Sequence, residues 1–178
     1  MATVSTRSKG ATYPSELKQF RDAQTETPIW QMTADSSINH NLYFLTSSFT
    51  PDQRSLIFTS YRSGRANFYQ VGFPDGKIRQ LTDEEDVHGY SGIISGEGTM
   101  LFYTAGDSVK SIVIETLEES VLARFDGGGL GECSLSCDGR WLVTAMKRDD
   151  KSHITITATD KSGGQTIFTS ENQTIIHP

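Results

Sequence analysis

The sequence predicts an all-β fold, a β-propeller, and three observations carry that expectation. Short runs rich in Phe, Tyr, Ile, Val and Thr alternate with Gly, Asp, Ser and Asn, the pattern of strands and tight turns. A turn phrase recurs as Phe49-Thr50-Pro51-Asp52, Ile94-Ser95-Gly96-Glu97 and Leu135-Ser136-Cys137-Asp138, with a strand after each and the acidic anchors 41–45 residues apart. A second phrase closes each unit: Trp30-Gln31-Met32-Thr33, Arg79-Gln80-Leu81-Thr82, Val121-Leu122-Ala123-Arg124 and Thr166-Ile167-Phe168-Thr169. Four strands in that period make a propeller blade. A β-sandwich is the structural alternative, and the acidic turn at one fixed phase favours the propeller.

Taken in order, residues 1–26 lack the period and read as an N-terminal arm. Within it, Gly10 to Pro14 is expected to be loose, and Leu17 to Asp22 is amphipathic but too short for a helix. The partial propeller then occupies 27–178. Thr27 to Thr33 reads as a rim strand that would complete the last blade of a closed ring. Three complete blades follow at roughly 38–82, 87–125 and 131–170. Thr174 to Pro178 looks like the start of another inner strand. Propellers usually have about 4–8 blades, so the expectation is a fragment of a larger propeller, with parts of two further blades at its ends.

Composition limits the partners. Lys plus Arg number 16 and Asp plus Glu 22, a formal net charge of −6. That balance argues against a nucleic-acid partner, which calls for a basic face. Nothing resembles a signal peptide or a membrane span, so a cytoplasmic protein without a membrane partner is expected. The two cysteines, Cys133 and Cys137, lie about 13 Å apart on an extended strand. That is too far for a disulfide, and free thiols fit a reducing compartment.

Chemistry is expected at the mouth of the inner strands. His40, His88 and His177 fall near one phase of the repeat, where imidazoles can converge on a polar ligand. The plainer reading is that each caps a strand end on a wet surface. Lys147-Arg148-Asp149-Asp150-Lys151 follows the second strand of the third blade. Its Arg can form a fork for a carboxylate, or the segment is a solvated charged hairpin. Tyr61-Arg62-Ser63-Gly64-Arg65 is the equivalent hairpin of the first blade and reads as a structural turn. The acidic run Asp83 to Asp86 reads as a solvated loop, with cation binding as the alternative. Gly127-Gly128-Gly129 is a weak phosphate-loop signal. No Gly-x-Ser-x-Gly elbow or Cys/His zinc pattern occurs.

The repeat phrase resembles that of Tol-system propeller proteins. A closer resemblance covers residues 10–178. Asn39-His40-Asn41-Leu42-Tyr43-Phe44, Glu115-Thr116-Leu117-Glu118-Glu119, Lys147-Arg148-Asp149-Asp150 and His177-Pro178, in that order, resemble the N-terminal half of the oligogalacturonate lyases. That family implies a cytosolic seven-bladed propeller that acts late in pectin breakdown. It implies β-elimination on short galacturonate oligomers, in which a base takes the C5 proton, the 4-oxygen leaves and a 4,5-unsaturated product forms. It also implies a divalent metal, manganese, whose ligands are expected beyond residue 178, so no metal ligand is assigned here.

Carried over by motif, Arg148 is implied to engage the substrate at the reaction centre, with His40 and His177 near the substrate. His88 joins them by its place in the repeat. In the family a longer loop after Arg-Asp-Asp carries the base histidine. Here only Lys151 and Ser152 separate Asp150 from His153. Either His153 takes the base's place or the base is missing. Two other functions stay open: a non-catalytic propeller that binds a sugar or a protein, and the propeller domain of a serine peptidase.

Overall fold

A computed structural model describes residues 8–175 and 178. All its regular elements are strands. The N-terminal segment forms β1 (Thr12–Tyr13), β2 (Lys18–Arg21) and β3 (Pro28–Gln31). The first blade follows as β4 (Asn39–Asn41), β5 (Ser55–Ser60), β6 (Asn67–Gly72) and β7 (Ile78–Gln80). The second is β8 (Ile93–Ile94), β9 (Met100–Ala105), β10 (Ser108–Val113) and β11 (Glu119–Arg124). The third is β12 (Gly129–Leu135), β13 (Trp141–Arg148), β14 (Lys151–Ala158) and β15 (Gly164–Ser170). Each blade is an antiparallel meander with its first strand, β4, β8 or β12, at one edge.

The recurring turn phrase has one physical basis. Gln53, Gly98 and Gly139 lie at the same place with φ of 58°, 73° and 71°. Their amides donate to the carbonyls of Thr50, Ser95 and Ser136 at 2.8–2.9 Å. The hydroxyls of those three residues accept from the backbone at the start of the next strand: Ser55 N at 3.1 Å, Met100 N at 3.1 Å and Trp141 N at 3.0 Å. Asp52 and Asp138 each accept from a nearby hydroxyl and a backbone amide. These hydrogen bonds hold both carboxyls below the usual range.

Blades pack face to face through two apolar clusters. Leu42, Ile57, Phe68, Leu101, Tyr103 and Ile112 fill the first interface, and Phe102, Val109, Leu122, Leu130, Leu142 and Met146 the second. Phe68 and Tyr103 meet edge to face at 5.7 Å, a geometry worth about 1 kcal/mol beyond burial. One polar bond repeats between blades. Thr59 Oγ1 donates to Gly89 O at 2.6 Å, and Thr104 Oγ1 donates to Gly131 O at 2.9 Å.

The N-terminal segment departs from its expectation. Gly10 to Pro14 is not loose: Gly10 N donates to Gln80 O at 2.9 Å, and β1 pairs with β7 as a fifth strand. Leu17 to Asp22 supplies the strand β2, which pairs with β3. The rim strand read at Thr27 to Thr33 is therefore half of a two-stranded ribbon here. Tyr13, Ala11 and Met32 cover Phe58, Tyr69, Val71 and Ile78 on the outer flank of the first blade. Burial of this apolar flank is the physical reason that a segment outside the repeat is ordered.

Candidate functional site

Blade topology gathers the candidate residues at one end. A meander returns its second strand to the end where its first began, so each hairpin between second and third strands lies beside the start of the first. Tyr61 N donates to Ile38 O, Val87 bridges Ala105, and Gly129 pairs with Lys147. His40, His88 and Arg148 therefore share this end. His177 lies outside the described residues.

His40 sits on β4 opposite Thr59 and is half-buried. Its Nδ1 donates to Asn41 O at 2.8 Å, which leaves Nε2 as the acceptor of the neutral ring. Tyr90 stacks on it at 4.3 Å and 25°. Gly89 permits that approach, because a Cβ there would lie 3.4 Å from the His40 ring and 3.1 Å from Thr59 Cγ2. His88 lies 6.5 Å from Tyr90, ring to ring. Its Nδ1 is buried without a partner. Burial holds its pKa below the ordinary 6.5, against the opposing pull of Glu132. Burial, with Glu132 adding to it, raises the Tyr43 phenol.

The two histidines share one register. His40 lies opposite Thr59, and the His88 amide donates to the carbonyl of the equivalent Thr104 at 3.1 Å. Tyr90 joins the two rings. Sequence reasoning missed Tyr90 and Glu132, and took Tyr43 only as part of a motif. Tyr90 and Glu132 each follow a glycine, Gly89 or Gly131, whose carbonyl receives the inter-blade threonine, a relation that exists only once the blades pack. A cleft along the inner strands meets this cluster only at Tyr43 and Glu132 and runs to the turns at the opposite end, away from the imidazoles, so the chemistry is placed here by the side chains.

Arg148 ends a hairpin longer than its counterparts. β13 and β14 have 8 residues each, against 6 for β5 and β6 and for β9 and β10. Asp149 and Asp150 form its two-residue turn with φ of 50° and 59°, the left-handed pair such hairpins require. Lys147 bonds Ser152, and Lys151 pairs with Glu171 at 2.7 Å. Arg148 is half-buried as a residue, and its guanidinium has no hydrogen-bond or ion-pair partner among the described residues. The solvated-hairpin reading thus holds for the turn, while the arginine is left able to bind an anion.

His153 is not placed as a base. It is 5% exposed. Its Nε2 lies 3.3 Å from Arg148 O and its Nδ1 lies 2.8 Å from Thr169 Oγ1. A carbonyl only accepts, so Nε2 carries the proton and Nδ1 accepts from Thr169. Neither nitrogen is left to take a proton from a substrate.

The other candidates are structural. Asp83 pairs with Arg65 at 2.9 Å and Glu84 pairs with Lys110, so two of the four carboxylates of the acidic run are engaged in ion pairs. A Cβ on Gly128 would sit 2.4 Å from Met146 Sδ, so packing accounts for that glycine. Among the described residues no group of three or more His, Cys, Asp or Glu is placed to hold a metal ion. The described residues therefore do not form a manganese site by themselves.

Comparison with known proteins places the chain. The family described as oligogalacturonate lyase matches residues 7–175. The chain belongs to the oligogalacturonate lyase family. An oligogalacturonide lyase of Pectobacterium atrosepticum is 26% identical over 83% of this chain and 39% of its own length. An oligogalacturonate lyase of Dickeya dadantii is 24% identical over 96% and 49%. The chain thus spans about half the length of these curated lyases or less. Among solved structures, an oligogalacturonate lyase in complex with manganese superposes with a TM-score of 0.83 at 20% identity, over 92% of this chain and 50% of that one. TolB from Acinetobacter baumannii gives 0.61 at 22%, over 94% and 45%. At these identities the structures establish the fold, a β-propeller.

Proposed function

We propose that this chain carries the carboxylate-binding part of an oligogalacturonate lyase site, acting on short galacturonate oligomers by β-elimination. The observation that carries the reading is the unpartnered Arg148 guanidinium on an extended hairpin, at the same end as His40 and His88. Elimination passes the C5 proton of the uronate to a general base, a role not assigned to His153, turns the C5–H electron pair into the C4–C5 double bond and expels the 4-oxygen with the departing sugar, leaving a 4,5-unsaturated product. Charge builds on the uronate carboxylate as the proton leaves. A planar guanidinium accepts that charge in two parallel hydrogen bonds. The open Nε2 of His40 and the Tyr90 hydroxyl stacked beside it lie at that same end and would meet sugar hydroxyls. A divalent cation, such as the manganese in the similar lyase structure, would add charge neutralisation. The described residues form no set to hold one, and no step here runs through it. The free thiols Cys133 and Cys137 are consistent with a cytoplasmic setting.

A second reading, a propeller portion that binds galacturonate without turnover, is favoured by the commitment of both His153 nitrogens. One experiment separates the two. Trigalacturonate is titrated calorimetrically into the chain, and the absorbance of the conjugated product is followed. The lyase reading expects saturable binding, lost with a neutral galactose oligomer, together with product. Binding without product favours the second reading, and absence of binding overturns both.

A further inference from the structure

We propose that His153 is a positioning residue that tethers the Arg148 hairpin to the outermost strand of its blade. The inference rests on the reading of Arg148 as the carboxylate clamp. A two-pair extension beyond the reach of its neighbours is the part of a β-hairpin most prone to fray, because it is fixed by few packed side chains. Here a buried imidazole on the third strand spans that weakness. Its Nε2 donates across the ladder to the carbonyl of Arg148 itself, at 3.3 Å, and Thr169 on β15 donates to its Nδ1 at 2.8 Å. The chain Thr169–His153–Arg148 thus runs from the fourth strand to the second across the third, joining three strands of one blade. Both ring nitrogens are used, as a buried imidazole requires, and the bond ends on the backbone of the residue that must be aimed. The guanidinium gains an ordered base without losing any of its own donors. A histidine near Arg-Asp-Asp therefore contributes through backbone order and not by accepting a proton.

The test uses the full chain with trigalacturonate as the probe. His153→Ala is expected to weaken binding about fivefold, the scale of one or two hydrogen bonds. His153→Gln offers an acceptor for Thr169 and a donor for the Arg148 carbonyl, and is expected to restore affinity to within about twofold. Against an Arg148→Ala background, His153→Ala should cause no further loss, which a general loosening of the fold would not reproduce. Amide hydrogen exchange across 147–152 reads the tether without ligand: it should quicken in His153→Ala and return in His153→Gln. If His153→Ala does not fold, Thr169→Val, at an exposed position, removes the Nδ1 donor at nearly constant volume and should give a smaller loss of the same kind. Unchanged exchange at 147–152, or an affinity loss that persists in full without Arg148, overturns the tether. If Arg148→Ala binds as tightly as wild type, the clamp reading fails instead, and the exchange data still decide whether His153 holds the hairpin.

Discussion

Two hairpins occupy equivalent places in the first and third blades, and each carries an arginine. In the first, the Arg62 side chain is 2% exposed. It reaches Glu16 through Nη1 at 2.9 Å, Thr33 at 2.8 Å and Ser60 at 3.0 Å. Its guanidinium lies 5.1–5.7 Å from the ring centroids of Tyr13, Phe58 and Tyr69. Glu16 in turn accepts from Thr33 Oγ1 and from the amides of Ala34 and Asp35. In the third, Arg148 makes none of these contacts and stands on a longer ladder. One residue type at one place in the repeat closes the fold in one blade and is left available to a ligand in the other. The difference lies in what surrounds it, above all the N-terminal segment, which brings Tyr13, Glu16 and Thr33 to Arg62.

Removing the structural arginine should have the largest effect. Arg62→Ala leaves Glu16 without its cation and Tyr13 without its cover. Glu16 keeps 20% of its side chain exposed, so a loss of about 2–3 kcal/mol is expected, at or below the low end for broken buried pairs. Urea unfolding measures it. A loss below 0.5 kcal/mol, on the order of an ordinary surface substitution, would erase the contrast between the hairpins.

Acid should act on the Arg62 cluster, whereas Arg148 has no carboxylate partner among the described residues to lose. Burial raises the Glu16 pKa, but hydrogen bonds from Thr33, Ala34 and Arg62, with the charge of Arg62, hold it below its ordinary 4.5. A carboxyl depressed in the folded state stabilises fully above its unfolded value, and that contribution is lost as pH falls through the folded one. Stability should therefore drop as pH is lowered below 4.5. Urea midpoints between pH 6 and pH 3, about the Glu16 range, should drop less steeply in Glu16→Gln and keep the wild-type slope in Arg148→Ala.

The inter-blade threonines set a scale between the two arginines. Thr59→Val or Thr104→Val strands the carbonyl of Gly89 or Gly131, and each should cost about 1 kcal/mol. Arg148→Ala should cost less than about 0.5 kcal/mol. If its cost matched that of the threonines, Arg148 would have to be holding the fold after all.

What could be read from the sequence follows the same divide. The blades were legible because their turns obey local chemistry: a hydroxyl, an acid and a left-handed residue at fixed spacing, as in Thr50-Pro51-Asp52-Gln53 and Ser136-Cys137-Asp138-Gly139. The fate of Gly10 to Gln31 was not, because it depends on the flank exposed by Phe58, Tyr69 and Ile78, which exists only once the first blade has formed. For the same reason the sequence could assign Arg62 to a structural turn but not say what holds it, since Glu16, Tyr13 and Thr33 come from a segment distant in the chain. The placement of His153 depends on Thr169, a strand away. Tyr90 and Glu132 were hidden because their shared position emerges only from which glycine carbonyl accepts the inter-blade threonine.

The most direct test of this division measures trigalacturonate affinity and unfolding midpoint together on Arg148→Ala. The account predicts binding weakened at least about tenfold, the loss of one charge-assisted hydrogen bond or more, with the midpoint unmoved. Wild-type affinity, or a weaker affinity that tracks a lowered midpoint, would contradict it.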